Sequence, residues 1–161
     1  MKTQSGFLSI YNEYKDKVYT IARRTLGDSR NAMDVSQDIF VKIHGDPGKL
    51  PPAAELGAYI YRMTVNRCID YLRKKNPLRL LREHDIAADG EAFPADTSDE
   101  VGFLLSDLNP DQKSAVILKE IIGLSVEETA RACSADTGTI KSRLSRAKEI
   151  MRETYARRAH Q

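Results

Sequence analysis

Two groups of side chains in this sequence have the types and spacing to hold a polyanion. The first is Lys141, Ser142, Ser145, Arg146 and Lys148, interleaved with the apolar residues Ile140, Leu144, Ala147 and Met151. On a helix this pattern gives an apolar back and an outer face of long cations and small hydroxyls. Such cations reach phosphate oxygens or guanine edges, and the hydroxyls fit close to a groove wall. Thr137, Gly138 and Thr139 precede them, where unbonded backbone N–H groups at a helix start can take a phosphate. The second group is Arg62, Asn66, Arg67 and Arg73, with Tyr59 nearby as a platform for stacking a single-stranded base. A solvated helix face can carry the same cations, so the elements around each group must decide.

A third group, Asp34, Gln37, Asp38 and Phe40, puts two carboxylates, an amide and an aromatic on one short segment. Asp34 and Asp38 have helical spacing for a general acid–base pair, but no His, nucleophile or metal partner accompanies them. A protein-docking surface is the better reading, and no catalytic, cofactor-binding or metal-ligating residue is predicted. The segment Gly45-Asp46-Pro47-Gly48-Lys49 lacks the glycine spacing, the hydroxyl after Lys and the preceding strand of a phosphate loop. Cys68 and Cys133 lie far apart without metal-ligand spacing, each in an apolar helical pattern, so both are expected to be buried thiols.

The elements that position these groups are all predicted helices. Phe7, Ile10, Tyr14, Val18 and Ile21 recur at helical spacing, with Gly27 as a stop. Ser29 can cap a second helix reaching Ile43, and residues 44–52 read as a loop. A third helix is expected from Glu55 to Lys75, with Tyr61, Val65, Cys68 and Leu72 inside and Arg62, Asn66, Asp70 and Arg73 outside. Tyr61 is thus a core residue, leaving Tyr59 for stacking. Residues 77–100 hold Pro77, Gly90, Pro94 and a run of acids, and read as a linker with a short helix near Leu78 to Arg82.

A second helical unit begins near Val101. Asn109, Pro110 and Gln112 form a capping-box signature for a helix reaching Gly123. Ser125 and Glu128 repeat the signature for a helix ending near Ala132 to Ser134, and Asp136 caps the last. A short helix, a tight turn and a basic helix is a helix-turn-helix pattern, and this favours DNA binding over mere solvation for the last helix.

Composition agrees. The chain has 161 residues, 41 % hydrophobic and 30 % charged, with a net charge of only +2. Between Arg62 and Arg82 the charges are basic except for Asp70, whereas between Glu83 and Glu100 every Lys, Arg, Asp or Glu is an acid. Basic faces joined by an acidic connector suit a polyanion-binding protein. No secretory leader or bilayer-spanning apolar run is read, so a cytoplasmic protein without direct membrane insertion or a small-molecule substrate is expected.

At this point the residues resemble a known family. Asp34-Val35-Ser36-Gln37-Asp38-Ile39-Phe40 resembles the region-two core of RNA polymerase sigma factors, and Tyr59-Ile60-Tyr61-Arg62-Met63-Thr64-Val65-Asn66 the start of their promoter-melting helix. Leu108-Asn109-Pro110 with Gly123 to Ala130 resembles the opening of region four, and Gly138 to Ala147 its recognition helix. Only regions two and four fit the length, which is similar to the extracytoplasmic-function group. The resemblance implies an all-α protein with region two at 6–76, a linker at 77–100 and region four at 101–158.

It also implies roles. Asp34, Gln37, Asp38 and Phe40 would dock on core polymerase, whose beta and beta-prime subunits are the implied partners. Tyr59, Arg62, Asn66, Arg67 and Arg73, with the loop from Gly45 to Leu56, would meet the minus-ten element, where a base leaves the stack. Thr137, Thr139, Lys141, Ser142, Ser145, Arg146 and Lys148 would meet the minus-thirty-five element. The linker would thread the polymerase's RNA channel, and an anti-sigma factor would restrain the protein. Tyr59 stands where the family usually has Trp, Cys133-Ser134 replaces its usual Leu-Gly, and Ser145 is smaller than in many relatives, so promoter preference does not carry over. The competing reading is a stand-alone helix-turn-helix regulator, which has no need of the Asp34 to Phe40 surface.

Overall fold

The computed structural model describes residues 2–75 and 99–160, and every regular element among them is helical. The expected linker and its short helix near Leu78 to Arg82 fall almost wholly outside the described residues. The first unit is made of α1 (Lys2–Leu26), α2 (Ser29–Gly45), a 3-10 turn (Pro47–Lys49) and α3 (Ala53–Lys75). The second is made of α4 (Glu100–Leu105), α5 (Pro110–Val116) running into a π-helical segment (Ile117–Ile122), α6 (Val126–Cys133) and α7 (Thr137–Ala159).

Helix limits follow local chemistry. Gly27 takes a positive φ of 74° after α1. The cap of α2 is Asp28 and not Ser29: its carboxylate accepts from the N–H groups of Arg30 at 2.7 Å and Asn31 at 3.1 Å. A carboxylate reaches two amides and its charge complements the helix dipole, advantages a serine hydroxyl lacks. The Asn109–Gln112 capping box is complete, with reciprocal bonds of 2.8 and 3.1 Å. The one at α6 is half made: Ser125 Oγ accepts from Glu128 N–H at 3.0 Å, without the return bond from Glu128.

The helix after Pro110 does not continue as a plain α-helix. From Ile117 its bonds widen to the π pattern, and Gly123 ends it at φ 89°. Leu124 N–H then reaches back to Leu118 C=O at 3.0 Å. Ser134 ends α6 in the left-handed region, at φ 53° and ψ 43°, the only described residue other than glycine with positive φ. Ala135 N–H bonds Ala130 C=O and Ser134 N–H bonds Arg131 C=O, a Schellman ending.

The core of the first unit is the predicted stripes meeting: Val18 and Ile21 of α1, Val35 and Ile39 of α2, and Tyr61, Val65, Cys68 and Leu72 of α3 are all buried. Each fully buried aliphatic contributes about 1.5–3 kcal/mol. The second unit buries Leu108, Ile117, Leu118, Ala130, Ile140 and Leu144. The two units pack on each other, α3 against α6 and α1 against α5 and the π segment. Their buried residues form one continuous cluster. Cys68 is fully buried, but Cys133, at the end of α6, is only half-buried.

Candidate nucleic-acid interface and docking groove

The outer face of α7 is laid down by its own periodicity. Ile140, Leu144 and Ala147 are buried and Met151 half-buried, which turns Lys141, Ser142, Ser145, Arg146 and Lys148 to solvent. Arg146 is held by Glu149 one turn on, at 2.9 Å. Lys148 lies 4.0 Å from Glu120 of the π segment. Exposed pairs of this kind are worth about 0–1 kcal/mol, less than the about 1–3 kcal/mol of an arginine fork on guanine, so the Glu149 pair does not commit the Arg146 guanidinium. Arg143 is turned inward, 3.8 Å from Asp111, and braces α7 on α5.

The start of α7 differs from the sequence expectation. Asp136 Oδ1 accepts from Thr139 N–H at 2.6 Å. Backbone N–H donation from Thr139 is the leading cause that holds the Asp136 carboxyl below its ordinary pKa. The Thr139 amide is therefore already used, and a carboxylate stands where a phosphate at that end would sit. Thr137 is exposed and Thr139 half-buried beside it.

On α3, Arg62, Asn66 and Arg73 are exposed, and Arg67 and Tyr59 are half-buried. The cations are not equivalent. Arg73 lies 3.9 Å from Asp70. Arg67 bonds Asp38 of α2 at 2.9 Å, so a residue expected at DNA and one expected at polymerase hold each other. Arg62 donates from Nε at 3.1 Å and Nη2 at 2.9 Å to the backbone oxygen of Arg131. That oxygen lies in the last turn of α6, where it also accepts from Ser134 N–H at 3.3 Å and the helix dipole is negative.

On α2 the four expected docking residues are not one surface. Asp34, Gln37 and Asp38 are exposed, whereas Phe40 is buried, with its ring edge-on to Tyr11 at 4.9 Å. Gln37 and Phe40 line a groove of about 570 Å³ between α1 and α2, with Phe7, Tyr11, Met33 and Val41. Met33 is 54 % and Val41 71 % exposed, so this apolar face is uncovered. Sequence reasoning missed the groove, although both residues stand off the buried stripe of α2 and so carried a signal. The Arg62–Arg131 contact and the ion pair between Arg24 and Asp99, at 2.8 Å, join distant parts of the chain and carried none.

Among the described residues no three His, Cys, Asp or Glu side chains converge as a metal site requires, and no described helix is long and apolar enough to cross a membrane. Residues 10–77 match the family Sigma-70 region 2, and residues 98–151 match Sigma-70, region 4. The chain is 28 % identical over 167 residues to the ECF RNA polymerase sigma factor SigW of Bacillus subtilis, covering 93 % of this chain and 89 % of that one. It is 31 % identical over 145 residues to SigM of Mycobacterium tuberculosis, covering 89 % and 74 %. The fold is shared with the sigma factor RpoE of Bartonella quintana, solved in complex with the anti-sigma factor NepR, at a TM-score of 0.74, 23 % identity and coverage of 94 % and 97 %. CnrH, solved with the cytosolic domain of CnrY, aligns at a TM-score of 0.72 with 20 % identity, covering 95 % and 89 %. With two region matches in order and relatives aligned along nearly the whole chain, this protein belongs to the sigma-70 family, as a sigma factor of the extracytoplasmic-function type that directs promoter-specific transcription.

Proposed function

We propose that three faces divide the work of initiation. The groove of α1 and α2, with Gln37 on its rim, Phe40 in its wall and Asp34 and Asp38 alongside, receives the core polymerase. The outer face of α3, with Tyr59, Arg62, Asn66, Arg67 and Arg73, meets the opened minus-ten strand. The outer face of α7, with Lys141, Ser142, Ser145, Arg146 and Lys148, enters the major groove of the minus-thirty-five element; Thr137 and Thr139 flank it. Region two then spans 6–76 and region four 101–158, with the acidic residues 77–100 between them. The protein works by binding, without catalysing a reaction, in the cytoplasm. An anti-sigma factor is the expected restraint, a class of partner seen with RpoE.

The observation that carries this reading is the set of exposed cations and hydroxyls on α7 over its buried apolar back. The test is transcription by reconstituted holoenzyme on single-base variants of the minus-thirty-five element. Arg146→Ala should lose about 1–3 kcal/mol at one base pair and relax preference there. Lys148→Ala should weaken every variant alike and flatten the salt dependence. An equal loss on every variant for Arg146→Ala makes it a phosphate contact and not a reader. For docking, Phe40→Ala is a poor probe because the ring is buried. Gln37→Ala with Val41→Asp, both exposed, should weaken core binding while the fold persists; unchanged affinity rejects the groove as the docking site.

A further inference from the structure

The cations of α7 are sorted by what already holds them. Arg143 faces Asp111, and Arg146 is bonded to Glu149. Further along, Arg157 is tied to Asp107, whose carboxylate also accepts from the hydroxyl of the buried Thr154 at 2.6 Å. Arg158 lies over the ring of Phe103, 4.6 Å from its centre. Lys148 approaches Glu120 only to 4.0 Å. Among the described residues of α7, Lys141 and Arg152 are the exposed cations that form no ion pair or ring contact.

These two belong to one row. Lys141, Ser145, Lys148 and Arg152 recur at steps of four, three and four, so about 60° of the helix surface holds all of them. Glu149 and Glu153, both exposed, each follow a member of the row by one residue and so stand about 100° round from it. Past Arg146 the outward surface is therefore divided into a basic flank, Lys148 and Arg152, and an acidic one, Glu149 and Glu153. The division limits how α7 can lie on a duplex. Lys141 and Arg152 are eleven residues apart, about 16 Å along the axis, whereas the major groove is about 12 Å wide. With Lys141 inside the groove, Arg152 stands at the phosphates that border it. Phosphate repels Glu149 and Glu153 and attracts the basic flank, so the second half of α7 leaves the groove with that flank against one strand.

We infer that Arg152 is a further DNA-binding residue, a phosphate contact that extends the α7 interface beyond its base-reading turns and fixes the roll of the helix in the groove. Arg157 and Arg158, engaged within the second unit, take no part. The inference rests on the proposed seating of α7 at the minus-thirty-five element.

The test is closed-complex formation by reconstituted holoenzyme on promoter duplex, titrated over a range of salt. One phosphate contact contributes about 0.9 to the slope of log K on log salt. Arg152→Ala should therefore weaken binding about tenfold near about 50 mM salt and about threefold near about 200 mM, alike on every base variant of the minus-thirty-five element. Arg152→Ala with Glu153→Gln has the net charge of the parent and should keep that loss, which separates a contact from the overall field. Single neutral methylphosphonates placed along both strands should reveal one linkage that costs the parent about tenfold and Arg152→Ala under about twofold. An unchanged salt slope for Arg152→Ala, recovery in the double variant, a loss confined to one base pair, or no linkage that distinguishes variant from parent overturns the inference. Lys141→Ala, measured alongside, separates the two levels. If it loses affinity and Arg152→Ala does not, the phosphate contact alone is wrong; if neither does, the seating of α7 falls with it.

Discussion

Ser134 and Gly123 offer opposite tests of one backbone term. Ser134 ends α6 with φ 53°, and Gly123 ends the π segment with φ 89°. A residue with a Cβ loses about 1–2 kcal/mol in the left-handed region, from contact of Cβ with its own carbonyl oxygen. Glycine escapes that strain but gives up about 0.5–1 kcal/mol through the greater freedom of its unfolded chain. Ser134 is exposed and its hydroxyl makes no hydrogen bond, so nothing else is lost with the side chain. Ser134→Gly should therefore stabilise by about 0.5–1 kcal/mol, and Gly123→Ala should destabilise by a similar amount. A Cβ on Gly123 would meet no atom within 4 Å, so that loss is conformational and not steric. At about 2–4 °C per kcal/mol for a chain of this size, the two melting temperatures should move apart, Ser134→Gly upward. Thermal unfolding by circular dichroism reads both. A fall for Ser134→Gly, or shifts of the same sign in both variants, refutes the reasoning.

Other consequences can be measured directly. Asp136 has a depressed pKa when folded, so its carboxylate contributes stability above the ordinary carboxyl pKa and loses it as pH falls through the lower folded value. Asp136→Asn keeps a capping side chain, so urea unfolding from pH 6 to pH 2 should show a shallower acid loss than the parent, and its duplex binding should tighten as a negative charge leaves the helix start. Removing the acid that holds Arg146, by Glu149→Gln, should strengthen binding to minus-thirty-five duplex a few-fold at low salt and less at high salt, read by fluorescence anisotropy. Burial pushes the Cys68 thiol up to about 12 and the Cys133 thiol up to about 11. Both should resist iodoacetamide at pH 8 in the folded chain and react on unfolding; rapid native labelling of Cys133 would place it outside the packed end of α6.

The helices were legible because their signals are local. Apolar spacing placed α1, α2, α3 and α7, and the Asn109–Gln112 pair announced its capping box outright. The exposed face of α7 followed from the same spacing, since burying Ile140 and Leu144 leaves Lys141 and Ser145 nowhere to go but outward. What escaped was competition between groups. Asp28 took the cap from Ser29, and Asp136 took the amide that a phosphate was expected to use. The pairing of Arg67 with Asp38, and of Arg62 with Arg131, depends on how helices cross, which no periodicity encodes. Phe40 was placed on a docking surface by the residues beside it, although its ring also belongs to the stripe that α2 buries.

The π segment bears on how this chain can be compared with shorter or longer relatives. A π turn closes its ring one residue later than an α turn, so it holds one extra residue without rotating what lies beyond it. The surplus lies on the outside here, where Glu120 is exposed and Ile121 is 38 % exposed. Deleting either should let an uninterrupted α-helix run from Pro110 to the glycine stop, with Leu118 still inside and α6 keeping its direction. A single-residue gap between positions 117 and 122 is thus silent for helix-turn-helix orientation. The same gap placed inside α6 or α7, where no π turn can absorb it, would turn every later side chain by about 100° and bring apolar residues to the face that now meets solvent.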